Sequence, residues 1–248
     1  MGRPPRLRLR ETHLDKARLR TRCWTALQEA GDARFPGARG RIPNFRGAEK
    51  AADRLAAWQV FAEAQVLKCN PDSPQRPVRA AALRAGKTVY MAVPKLADEK
   101  PFIELDPEVL GPAMLWKASS IVGAEALGRR VHADEVRPID LIITGCVGVS
   151  RAGARLGKGG GYSDLEYAIL RELGLVSADT PIATTVHACQ VLPAGTIPMT
   201  AHDISLDAWA TPDELHCCER AFERPPGVLD EHLPEDKRAA IPVLSRRA

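Results

Sequence analysis

Arg155-Leu156-Gly157-Lys158-Gly159-Gly160-Gly161-Tyr162-Ser163-Asp164 is the stretch that decides how this 248-residue chain reads. Four glycines fall within residues 157–161, between an apolar strand-like region and an amphipathic segment. That segment, Asp164–Leu173, repeats Leu165, Ala168, Ile169 and Leu173 at helical spacing, with Gly174 after it. Glycines let the backbone turn its N–H groups inward, and the start of the following helix adds positive potential. The pattern predicts an anion cradle, most often for phosphate, with Arg155 and Lys158 adding mobile positive charge; a plain glycine-rich surface loop is the alternative. Ser163 and Glu166 stand at capping-box spacing, and Asp164 suits the first turn, so these three also have a purely structural reading.

Around the loop, helix and strand signals alternate. Ile139–Thr144 is a continuous apolar run bounded by Pro138 and Gly145, and Pro181–Val186 is a second buried-type strand. Val78–Ala85 reads as a short helix and Thr88–Val93 as a strand. Two helices are expected earlier, from Thr12 to about Ala30 and from Ala48 to Leu67. The first has Leu14, Ala17, Trp24, Leu27 and Ala30 as its apolar positions. Strands apolar on both faces, alternating with helices, predict an α/β fold with a mostly parallel sheet covered on both sides. The expected boundaries are a flexible basic arm over 1–11, one α/β domain over 12–219 and an extended or loosely docked tail over 220–248.

Composition narrows the function classes. Apolar residues make up 45% and charged residues 27%, which suits a globular chain rather than a disordered or collagenous one. No run approaches the length of a membrane span, and no apolar segment follows the N-terminal arginines, so a cytoplasmic protein without a membrane partner is expected. The formal charge is +4, but residues 1–22 carry +6, leaving −2 for the body. A nucleic-acid partner would need a basic face on the folded domain, and the 5% aromatic content offers few stacking platforms, so this class is disfavoured. The six cysteines form no CxxC pair and read as free thiols; His216-Cys217-Cys218 lacks the second ligand pair of a zinc site. His187 reads as a satisfied core or strand-end histidine.

The glycine loop matches none of the commoner motifs. Lys158 is followed by Gly159, where a Walker A loop has Ser or Thr, and Tyr162 stands where a dinucleotide fingerprint has its third glycine. Ser150 has no nucleophile-elbow frame. A second candidate segment is His202-Asp203-Ile204-Ser205-Leu206-Asp207. If the loop holds a nucleoside triphosphate, Mg²⁺ needs one or two carboxylates beside the phosphate oxygens, and Asp164 with Asp203 could supply them.

Taken together, these segments resemble the 5-formyltetrahydrofolate cyclo-ligase family, also called methenyltetrahydrofolate synthetase. The family's early K-x-x-L-R is matched by Lys16-Ala17-Arg18-Leu19-Arg20, its R-L-G-x-G-x-G-Y-Y-D loop by Arg155–Asp164, and its late H-D-x-x-x-D by His202–Asp207. The blocks Ile42–Ala48 and Lys68–Pro74 look like the branch called methenyltetrahydrofolate synthase domain-containing. The resemblance implies a three-layer α/β/α sandwich related to ribose-5-phosphate isomerase and CoA-transferase domains. It implies ATP and Mg²⁺ as cofactors and a folate-like small molecule as substrate. ATP would phosphorylate the formyl oxygen of 5-formyltetrahydrofolate, and N10 would then close the ring to 5,10-methenyltetrahydrofolate.

Carried over by motif, Lys16 and Arg20 would hold ATP phosphates, and Arg155 with Gly157, Lys158, Gly159, Gly160 and Gly161 would cradle them. Tyr162 would lie beside the substrate, and Asp164 and Asp203 would bind Mg²⁺. Lys16, Arg155 and Tyr162 are the candidate catalytic residues. This chain departs from the family pattern at Ser163 (usually Tyr) and Leu165 (usually Arg), and Pro74, Gln75 and Arg76 stand where an acidic folate contact is expected. The ATP half of the pattern is therefore better preserved than the folate half. The alternatives are a paralogue using the same ATP site on another formamide or pterin-like substrate, and a non-catalytic nucleotide- or RNA-binding protein.

Overall fold

The computed structural model describes residues 5–245, with side chains described from Asp15 onward. Its centre is an eight-stranded sheet built from β1 (Val66–Cys69), β2 (Thr88–Ala92), β3 (Phe102–Leu105), β4 (Arg129–Val131), β5 (Leu141–Ile143), β8 (Ile182–Thr185), β10 (Ala208–Ala210) and β11 (Leu215–Cys217). The spatial order is β11-β10-β8-β5-β1-β2-β3-β4. The five strands from β10 to β2 run parallel, and β11, β3 and β4 join antiparallel at the edges. The small sheet of β6 (Gly148–Ser150), β7 (Arg155–Leu156) and β9 (Val191–Leu192) stands beside it.

Alternate residues of the large sheet feed two cores. Tyr90, Ile142, Ile182 and Trp209 pack on one side against Leu165, Ile169 and Leu170 of α8 (Tyr162–Glu172). Val89, Met91, Leu141 and Ile143 pack on the other, against Leu55, Val78 and Leu83. The latter come from α2 (Ala48–Ala56) and α4 (Arg76–Arg84), with α3 (Gln59–Glu63) between them in sequence. The edge of that layer is made by α5 (Pro107–Leu110), α6 (Leu115–Ala118) and α7 (Ile121–Leu127). This is the mixed α/β, mostly parallel arrangement expected from strands apolar on both faces.

Helix α1 (Pro5–Glu29) begins earlier than the sequence reading placed it, so residues 5–11 are helical and not a flexible arm; residues 1–4 of that arm lie outside the described residues. Its buried stripe also differs. Lys16, Leu19, Cys23 and Leu27 face inward, whereas Ala17 and Ala30 are exposed and Trp24 is half-buried. Leu19 and Cys23 pack on Val147, Leu156 and Leu192 around the small sheet.

The helix read over Ala48–Leu67 breaks at Trp58, which is extended, and Val66–Cys69 becomes the central strand β1. Lys68 hid this strand, because a lysine in mid-strand looks incompatible with burial on both faces. Its charge is matched within the fold by Glu166.

The tail over 220–248 is not extended. It docks through α9 (Glu235–Ala239) and α10 (Pro242–Ser245), and Ile241 and Leu244 enter the core under α8; residues 246–248 lie outside the described residues. Among the described residues, no helix is long and apolar enough to cross a membrane.

Candidate functional site

A cleft of about 700 Å³ opens where the parallel strands end, lined by the turn after β1, by Val93–Lys95 after β2 and by the glycine loop. Ligand crevices in open α/β sheets form at such carboxyl edges, beside the strand where chain order reverses. Here that strand is β1, with β2 on one side and β5 on the other. Every site residue expected from the sequence lines this one cleft: Lys16, Arg20, Arg155, Gly157–Gly161 with Lys158, Tyr162, Asp164 and Asp203.

The loop is shaped by its own cations. Arg155, on β7, is buried and directs Nη1 to Gly145 O at 3.1 Å. Its Nη2 meets both oxygens of Asp164 at 2.6 Å, and Asp164 Oδ1 also accepts from Ile204 N at 3.1 Å. Arg20 Nε donates to Gly157 O at 2.7 Å, pinning the first loop residue to α1. Gly161 precedes α8 in the left-handed region, φ 66°, which lets the loop enter the helix without a side-chain cap. Ser163 and Glu166 therefore do not form the capping box that their spacing suggested. Instead Ser163 Oγ accepts from Asn70 Nδ2 at 2.9 Å, and Glu166 accepts from the buried Lys68. That pair ties α8 to the centre of the sheet.

Lys16 Nζ, on α1, reaches Asp203 Oδ2 at 2.5 Å. The same oxygen accepts from Thr200 N at 2.6 Å and Thr200 Oγ1 at 2.7 Å. Burial alone would raise the Asp203 carboxyl, but Lys16 and Thr200 outweigh it and hold the group below its ordinary value. Neighbouring His202 is pushed down by burial and meets His232 Nδ1 to Nδ1 at 3.0 Å. Each of the two carboxylates expected to hold a metal thus already faces a cation of the chain. Asp203 Oδ1 differs from the other oxygens: among the described residues, its partner is His202 Nε2 at 3.9 Å, beyond hydrogen-bond distance.

Asp72 is the site residue that sequence reasoning missed. It follows β1, lines the cleft, and is pushed upward by burial, with Lys158 the strongest opposing charge. A Cβ on Gly145 would come within 2.8 Å of Asp72 Oδ2, so a glycine there allows the close approach. Buried Arg79 fixes the turn, donating to Asp72 O and Pro71 O at 3.1 Å each and to Asn70 O. The signal for Asp72 lay in its place at a strand end, which was invisible once β1 was read as helix. Arg39 and Arg41, from the loop after α1, also line the cleft and add to its basic character.

Cys217 and Cys218 are free thiols, and the described residues contain no cluster of three or more His, Cys, Asp or Glu side chains arranged to hold a metal. His187 caps the turn Ala188–Gln190, as a strand-end histidine would.

Comparison with known proteins gives these features a family. The model of the 5-formyltetrahydrofolate cyclo-ligase family matches residues 12–212. The mouse (Mus musculus) methenyltetrahydrofolate synthase domain-containing protein is 34% identical over 232 residues, covering 93% of this chain and 62% of that protein. Its human (Homo sapiens) counterpart is 31% identical over 236 residues, covering 95% and 62%. The chain therefore spans about three-fifths of the length of these curated relatives. Among solved structures, the 5,10-methenyltetrahydrofolate synthetase of Aquifex aeolicus shares the fold, with a TM-score of 0.52 at 19% identity over 88% of this chain and 99% of that one. A family model spanning the helix that carries Lys16, the glycine loop and Asp203 leads to one conclusion: this chain belongs to the 5-formyltetrahydrofolate cyclo-ligase family.

Proposed function

We propose that this chain is an ATP- and Mg²⁺-dependent cyclo-ligase that converts 5-formyltetrahydrofolate to 5,10-methenyltetrahydrofolate. The observation that carries the reading is the convergence of Lys16, Arg20, Arg155 and the Gly157–Gly161 backbone on one cleft at the sheet's carboxyl edge. Phosphoryl transfer needs little covalent chemistry from the protein. Positioning and charge neutralisation do most of the work, and this cleft supplies both.

In this reading the loop N–H groups and Lys158 bind the phosphate chain, while Arg155 keeps the loop in shape through Gly145 and Asp164. Lys16 and Arg20 approach from α1. The formyl oxygen attacks the terminal phosphorus and ADP leaves; N10 then adds to the activated formyl carbon, and inorganic phosphate departs as N10 gives up its proton. Tyr162 and Asp72 line the same cleft, and in this reading the Asp72 carboxylate would accept N–H hydrogen bonds from the pterin ring.

The donors fit a nucleotide-borne Mg²⁺. Among the described residues, no donor lies within hydrogen-bond distance of Asp203 Oδ1, which would be the first oxygen offered to the ion, with Asp164, held by Arg155, behind it. A bound Mg²⁺ would neutralise negative charge on the phosphate chain.

The test is turnover of 5-formyltetrahydrofolate with ATP and Mg²⁺, followed by ADP release and by the absorbance of the methenyl product. No turnover above background overturns the folate assignment. ADP release with another formamide in place of the folate would assign the site to a different substrate.

A further inference from the structure

The C-terminal segment lies beyond the residues matched by the family model, yet it reaches the glycine loop. Lys237 Nζ, on α9, donates to Gly160 O at 2.6 Å and stands 4.3 Å from the centre of the Tyr162 ring. A Cβ on Gly161 would come within 3.3 Å of the same ammonium.

This placement is held from both sides of α9. Ile241 and Leu244 are each 1% exposed in the core under α8. His232 meets His202 at the edge of the cleft. Further back, Arg224 Nη2 donates to Ser205 O at 3.2 Å and pairs with Asp207.

Charge balance separates Lys237 from two of the other cations. Lys16 faces Asp203 and Arg155 faces Asp164, so both are matched by carboxylates. Among the described residues, the contacts of the Lys237 ammonium are a backbone carbonyl and a ring face, with no ion pair. Burial lowers its pKa, and the more distant charges of Asp164 and Asp236 offset this only in part. An ammonium carries three N–H donors, and Gly160 takes one of them.

We propose that Lys237 is a phosphate-binding residue, contributed by the C-terminal segment, that holds the Gly160 carbonyl and donates its remaining N–H groups to the phosphate chain of a nucleoside triphosphate. The proposal rests on the reading of the glycine loop as the ATP site.

Calorimetric titration of the full chain with ATP, for wild type, Lys237→Met and Lys237→Arg, tests it. Charge-assisted contacts of this kind predict a loss of about tenfold or more in ATP affinity for Lys237→Met. Lys237→Arg should recover most of that loss, and AMP, with a single phosphate, should lose less than ATP. If wild type binds ATP and Lys237→Met binds it equally well, the Lys237 assignment falls and the loop reading stands. A loss that Lys237→Arg does not recover, or that is equal for AMP and ATP, assigns Lys237 to loop support and overturns the proposal. If wild type binds no ATP, the loop reading falls and takes this proposal with it.

Discussion

Lys16 Nζ and Asp203 Oδ2 meet at 2.5 Å although 187 residues separate them in sequence. Both side chains are 9% exposed, so the pair anchors the first helix to the segment before β10 inside the cleft. Removing one partner leaves the other charge buried, which costs about 3 kcal/mol. Lys16→Met should therefore lower the urea midpoint and weaken ATP binding together. A variant with full stability and lost binding would mean that Lys16 acts on the nucleotide alone.

The same pair sets a pH dependence. The Asp203 carboxyl lies below its ordinary value in the folded chain. Its stabilising contribution is complete above the unfolded-state value near ~3.9 and is lost as pH falls through the folded value. Wild type should exceed Asp203→Asn in stability at neutral pH, and their urea midpoints should converge as the pH drops below about 4. Parallel midpoint curves across that range would contradict this.

His202 acts in a higher window. Burial lowers its pKa, with Asp203 and Asp164 opposing, and protonation would also set it against His232. Unfolding releases the imidazole to titrate near ~6.5, so stability is complete above that value and falls as pH drops towards the folded one. His202→Gln should flatten the fall in melting temperature between about pH 6.5 and 5.

Lys68 and Glu166 form a buried pair between β1 and α8. Lys68→Met or Glu166→Leu alone should destabilise by about 3–5 kcal/mol, while the double variant should recover much of the loss because no lone charge stays buried. Additive losses in a double-mutant cycle would show that the pair contributes no coupling.

Gly159 tests the loop itself. Its φ of 110° disfavours any side chain, and a Cβ there would lie 3.4 Å from Arg20 Cζ. Gly159→Val should cut ATP affinity at least about tenfold, a change of about 1.4 kcal/mol, while the melting temperature stays within a few degrees. Unchanged ATP affinity would place the phosphates elsewhere.

The parts of this fold that were legible in sequence are those whose pattern is local. Apolar runs such as Leu141–Ile143 and Ile182–Thr185 read as buried strands because every residue agrees with that state. The glycine loop was legible because four glycines together have little other purpose than backbone freedom. What was lost depends on distant partners. Lys68 is acceptable in a central strand because Glu166 lies across from it, and with β1 misread as helix, Asp72 had no strand end to stand on. Ser163 and Glu166 had local spacing for a cap, but Asn70 and Lys68 engage them from another element. The helices of the tail were not legible because they are stabilised by where Ile241 and Leu244 land, not by their own length.

The burial of Ile241 and Leu244 also has a consequence for biosynthesis. A chain made from the N-terminus exposes Trp209 and the inner face of α8 on the ribosome before residues 241 and 244 exist to pack against that cluster. Each large apolar side chain left uncovered forfeits about 1.5–3 kcal/mol of burial. The nascent domain should therefore remain protease-sensitive until residues 241 and 244 have left the ribosome and can pack against that cluster.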